Sequence, residues 1–121
     1  MDSVARDLYD RSNLEKVKDL SGGWMDAGDY NKYVTFAFEA VNQLLTAYEM
    51  NPKAFTDDNN IPESGNGIPD ILDEVKWELD WIKRMQDTID GGVLLKMGHL
   101  RGAKTFSPPS TDTAVRYYYP Q

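Results

Sequence analysis

Between Ile68 and Met85 apolar residues occupy two sides of one helical cylinder, and this pattern restricts the fold more than any other in the chain. Ile68, Ile71, Leu72, Val75, Leu79 and Ile82 form the main stripe, while Trp77, Trp81 and Met85 lie well round from it at successive i+4 steps. A helix that is greasy on two sides is expected to pack between other elements, not to cover the outside of a small domain. Pro69 suits a first turn because it has no amide proton to leave unpaired, and Asp70, Asp73 and Glu74 put negative charge near the positive helix end. Lys83 and Arg84 suit the opposite end.

A second periodic segment runs from Val34 to Met50. Val34, Ala37, Phe38, Val41, Leu44, Leu45 and Tyr48 follow the spacing of an amphipathic helix without a gap, and Asn51-Pro52 stops it. Residues 1–20 are polar, mixed in charge and irregularly spaced, and read as a loose lead-in. After Asp90-Gly91-Gly92 comes a short strand-like run, Val93 to Met97, then some twenty residues rich in Gly, Pro, Ser and Thr with no third helix. Loops longer than about 12–15 residues are uncommon in compact domains. Two helices and a tail therefore read as part of something larger.

Composition excludes several classes of function. Thirteen Lys and Arg against 20 Asp and Glu give a net charge of -7 over 121 residues, the wrong sign for gripping phosphate backbones, so no nucleic-acid partner is expected. No apolar run approaches the roughly 18 residues needed to cross a bilayer, so no membrane partner is expected, and the first 20 residues hold no signal-peptide core. Without Cys there is neither a disulfide framework nor a thiolate metal site. No cofactor is expected.

Acid–base hydrolysis of a glycosidic bond needs two carboxyl groups, and so acidic a chain does not lack them. Spacing alone does not select a pair: with 14 Asp, chance gives roughly 1.6 Asp-x-x-Asp pairs, against four present. Setting does. Asp26 and Asp29 lie in Ser21-Gly22-Gly23-Trp24-Met25-Asp26-Ala27-Gly28-Asp29-Tyr30-Asn31-Lys32-Tyr33, where glycines permit tight turns and aromatic faces suit the C–H faces of sugars. On residues alone, capping of the Val34 helix or bonding of loop amides is the favoured role for the pair.

The run GGWMDAGDYNKY, followed by a helix and then NGIPDILDEVKWELDWIKRMQ, closely resembles the opening of the catalytic domain of glycoside hydrolase family 9, the inverting endoglucanases and related cellulases. DGGVLLKMG and PPSTDTAVRYY also look like family members, so the resemblance spans roughly Asp19 to Tyr119. It implies an all-α fold, part of an (α/α)6 barrel or six-hairpin toroid, with only the first helices present. Residues 1–121 would be the N-terminal portion of that domain, with 1–20 a lead-in and 21–121 the family-like region. By the same resemblance Asp29 is the base that deprotonates the attacking water and Asp26 helps to hold that water. The general acid lies outside the chain, in the remainder of the catalytic domain. The implied partner is a β-glucan, cleaved at β-1,4 bonds, and the implied location is secreted.

Trp24, Tyr30 and His99 are the candidate sugar-binding residues, with Tyr33 nearby; packing is the competing role for the aromatics, and surface or backbone bonding for the lone His99. Glu39, Glu49, Glu74 and Glu78 read as helix-surface or helix-start carboxylates, and Lys32 as a counter-charge to the acidic loop. The loop Asp57 to Glu63 hints at calcium but lacks the glycine and alternating oxygen ligands of an EF-hand, so it reads as a solvated turn and no metal site is assigned. A different class of function, a non-catalytic carbohydrate-binding or interaction fragment, uses the same loop to bind sugar without cleaving it.

Overall fold

The structure is a computed structural model and describes residues 4–27, 31–100 and 112–120. Two α-helices follow the expected segments: α1 spans Val34–Met50 and α2 spans Asp70–Arg84. Five short strands accompany them, β1 Val4–Asp7, β2 Lys18–Asp19, β3 Lys32–Tyr33, β4 Lys96–Gly98 and β5 Arg116–Tyr119. They form one sheet in the order β2-β1-β5-β4-β3.

This mixed sheet overturns the all-α expectation, and with it the reading of these residues as the first helices of an (α/α)6 barrel. The physical reason is that the strands are too short to show a period and are held by partners remote in sequence. β1 pairs in parallel with β5, Ala5 opposite Arg116 and Asp7 opposite Tyr118, while β4 pairs antiparallel with β5 and with β3. Each ladder satisfies backbone N–H and C=O groups that would otherwise be buried unpaired. Such pairing leaves no local hydrophobic signature in a two- to four-residue strand.

The lead-in is not loose. Ala5 and Leu20 are fully buried and join Trp81, Met85, Leu94, Met97 and Tyr118 in one core, with Val34, Ile82 and Val93 packed against it. Asp7 Oδ1 accepts the Tyr9 and Asp10 amides at 2.7 and 3.1 Å and turns the chain out of β1. The Tyr118 hydroxyl donates to the Lys16 carbonyl at 2.8 Å, clamping the return to β2.

Each greasy side of α2 is buried in part: Trp81 and Met85 of one and Val75 of the other are buried, whereas Trp77 of the first and Leu79 of the second stay 49% and 44% exposed. The helix packs against α1 and the core together. Only Ala37 and Val41 of α1 are buried, and Phe36 and Phe38 remain 63% and 73% exposed. Among the described residues no helix is long and apolar enough to cross a membrane.

Candidate active site

The segment from Ser21 to Trp24 lies across α2 and is tied to it at each step. Gly22 and Gly23 have φ of 84° and 73°, the left-handed region in which a Cβ is strained. At Gly23 a Cβ would stand 2.5 Å from Trp81 Cγ, so only glycine lets the loop rest on that ring. The Arg84 guanidinium donates to the Ser21 carbonyl. Lys32 Nζ donates to the Gly22 carbonyl at 2.6 Å although Lys32 is only 1% exposed. Lys32 is thus a buried tie and not merely a counter-charge.

Trp24 is held twice: its backbone N–H donates to Glu78 Oε2 at 2.5 Å and its indole Nε1–H to Glu74 Oε1 at 2.6 Å. Glu78 is 1% exposed, which corrects its reading as a helix-surface carboxylate. Burial pushes its carboxyl above the ordinary value and the charge of Glu74 adds to this, while the Trp24 amide and the Lys32 ammonium pull the other way. The sequence carried a signal that reasoning passed over, since Glu78 stands three residues before Trp81 and seven before Met85, on the stripe that enters the core.

Asp26 is exposed, and its backbone N–H donates to the Asn31 carbonyl at 2.7 Å. Capping of the Val34 helix is not its role: α1 starts from Tyr33 with no side-chain cap. Asp29 and Tyr30 lie outside the described residues. Beside Asp26 is a small cleft of about 190 Å³, lined by Trp24, Met25, Tyr33, Phe36 and Glu78 among others. Trp24 and Asp26 are therefore brought together.

Asn31 Oδ1 accepts the His99 amide at 3.2 Å, and a Cβ on Gly98 would collide with that same oxygen at 1.9 Å. The backbone of His99 is thereby joined to Asn31. Its ring, on a residue only 6% exposed, meets the Arg116 guanidinium at Nε2 and lies 3.3 Å from Asp112 Oδ2. Guanidinium N–H groups only donate, so Nε2 can only accept in that contact. Arg116 also donates to Asp112 Oδ2 at 2.7 Å, and this bond holds the Asp112 carboxyl below its ordinary range. Among the described residues the group of side chains able to ligate a metal is Asp57, Asp70 and Asp73, which does not include Asp26.

An exposed carboxylate beside an aromatic cleft can hold a water molecule against a sugar ring. The model of the glycosyl hydrolase family 9 sequences matches residues 2–121. The chain belongs to that family. It is 46% identical over 86 residues to endoglucanase C of Cellulomonas fimi, covering 66% of this chain and 8% of the relative. It is 41% identical over 118 residues to a cellulose 1,4-beta-cellobiosidase of Acetivibrio thermocellus, covering 86% of this chain and 13% of the relative. A solved metagenome-derived family 9 endoglucanase superposes with a TM-score of 0.82 at 45% identity, over 98% of this chain and 22% of its own. The family 9 chain described here thus spans a small part of each relative's length.

Proposed function

We propose that this chain is the N-terminal portion of a glycoside hydrolase catalytic domain that cleaves β-1,4-glucosidic bonds of cellulose-like glucans with inversion. The reading rests on family 9 membership together with the anchored Asp26 turn. In it Asp29 removes a proton from the attacking water as that water adds to the anomeric carbon. Asp26 accepts the water's second proton in a hydrogen bond and orients it. The acid that protonates the departing glycosidic oxygen comes from outside these 121 residues. Trp24, Tyr30 and His99 border the glucan. A polymeric substrate is met outside the cell, so the protein is secreted in this reading.

The test is hydrolysis of a soluble β-1,4-glucan oligosaccharide by the full-length protein, with product anomers followed by NMR. Initial release of the α-anomer is expected, and Asp29→Asn should lower kcat by about 10^2–10^4. Initial release of the β-anomer would sink the inverting mechanism. Full activity in Asp29→Asn would remove the base from that residue. Absence of hydrolysis by the parent, with glucan binding retained in the Asp26→Ala/Asp29→Ala pair, would favour the non-catalytic sugar-binding reading.

A further inference from the structure

Asp26 and Asp29 lie within residues 25–31, and the residues on either side of that segment, Trp24 and Lys32, meet at one buried carboxylate. From upstream, the Trp24 backbone N–H donates to Glu78 Oε2 at 2.5 Å. Burial raises the Glu78 carboxyl above its ordinary value, and from downstream the Lys32 ammonium works against that rise. Lys32 Nζ also donates to the Gly22 carbonyl at 2.6 Å, so it reaches the chain just before Trp24 as well. Both charged side chains are buried.

A carboxylate and an ammonium enclosed in a protein each lose their hydration, and apolar residues of similar volume often stabilise the same space as well or better. Stability alone is therefore a weak reason for these two charges. Their placement supplies a better one. Glu78 lines the cleft of about 190 Å³ that Asp26 also lines, so the anchor stands directly beside the candidate site. The other bond that ties Trp24 to α2, from its indole to Glu74, lies on exposed surface, where water competes with it. The buried, charge-assisted bond to Glu78 is the stronger hold.

We propose that Glu78 is a positioning residue for the glycosidic reaction: by accepting the Trp24 amide and facing Lys32, it fixes both ends of the segment that carries Asp26 and Asp29, and so sets where those carboxylates stand against the glucan. This inference rests on the roles proposed for Asp26 and Asp29. Glu78 touches no substrate and moves no proton; it acts through Trp24 and Lys32. Placement matters because the base must meet a water that is itself aligned with the anomeric carbon, and a displacement of about 1 Å can lower a rate on the order of 10^2-fold.

The experiment compares steady-state kinetics and thermal melts of the full-length protein and its Glu78→Leu, Glu78→Gln and Glu78→Leu/Lys32→Met variants on a soluble β-1,4-glucan oligosaccharide, with Asp29→Asn alongside. Glu78→Leu removes the Trp24 acceptor, so kcat is expected to fall by about 10- to 10^2-fold while KM stays within about threefold of the parent. Gln keeps an oxygen for the Trp24 amide, and its kcat should lie between those of Leu and the parent. The double variant separates position from stability, and it carries the test should Glu78→Leu fail to fold. With both charges removed together it should melt above Glu78→Leu, yet its kcat should stay as low, because neither end of the segment is restored. Parent-like kcat in folded Glu78→Leu or in the double variant would overturn the positioning role and leave Glu78 a stabilising tie. A Gln variant no faster than Leu would overturn it too, since the Trp24 bond would then not carry the effect. Full activity in Asp29→Asn would remove the underlying assignment of the base, whereas a slow Asp29→Asn beside a parent-like Glu78→Leu would remove the positioning role alone.

Discussion

Glu78 shows how one buried charge shapes the candidate site: it receives the Trp24 amide, and burial raises its pKa. A carboxyl whose folded pKa lies above its ordinary value of 4.5 binds its proton more tightly in the folded state. The cost of keeping it ionised is therefore absent below the unfolded pKa and fully present above the folded one. Glu78→Gln removes that cost. Its melting temperature relative to the parent should move in favour of Gln as pH rises from about 4 to 7, followed by circular dichroism. A difference that stays constant over that range would falsify the raised pKa. Gly23 supports the same loop by absence of bulk. With its positive φ and the Trp81 ring at 2.5 Å from any added Cβ, Gly23→Ala should cost on the order of 2–3 kcal/mol in urea denaturation. Gly65→Ala shares the positive φ but meets nothing within 4 Å, so about 1 kcal/mol is expected there. Equal losses at the two positions would show that close packing on Trp81 is unimportant.

The elements divide by how they are held. Both helices carry their own signal, and α1 begins at Val34 and ends at Met50 where the periodicity and Asn51-Pro52 put its limits. The strands have no such signal. β5 is the middle strand of the sheet, yet its Tyr117, Tyr118 and Tyr119 have no meaning until β1 and β4 lie on either side. Tyr118 links three segments at once, being buried in the core, paired to the β1 register and bonded through its hydroxyl to the Lys16 carbonyl. Tyr118→Phe should cost about 1–2 kcal/mol, because an acceptor in the Lys16 turn loses its donor. Burial, with the nearby Asp7 charge, pushes the phenol up to about 12, so it stays protonated throughout the neutral range. The cost measured by urea denaturation should consequently be the same at about pH 6 and pH 9. A cost that disappears at pH 9 would mean that the hydroxyl ionises there.

At the scale of the whole molecule, apolar surface left outside the core is the dominant feature. Phe36, Phe38 and Met50 of α1 are 63%, 73% and 82% exposed, and Trp77 of α2 is 49% exposed. Exposed apolar surface of this kind promotes association. The 121-residue chain by itself should exceed its monomer mass in light scattering at roughly 50 μM, and Phe36→Ser/Phe38→Ser should lower that mass. A monomeric parent at that concentration would show that this surface is tolerated in water. By itself the sequence determined what depends on near neighbours: the span of α1, the core of α2, the need for packing on the Trp81 side and the Gly-Gly-Trp-Met-Asp-Ala-Gly-Asp run on which the resemblance to family 9 rested. Only tertiary structure decided that residues 4–7 and 116–119 share a sheet, that Glu78 and Lys32 are buried ties, and that Asp57 meets Asp70 and Asp73. The reason is physical. Helical periodicity is written over a few consecutive turns, whereas strand pairing, buried charge and converging ligands join residues far apart in sequence, whose partners no local pattern names.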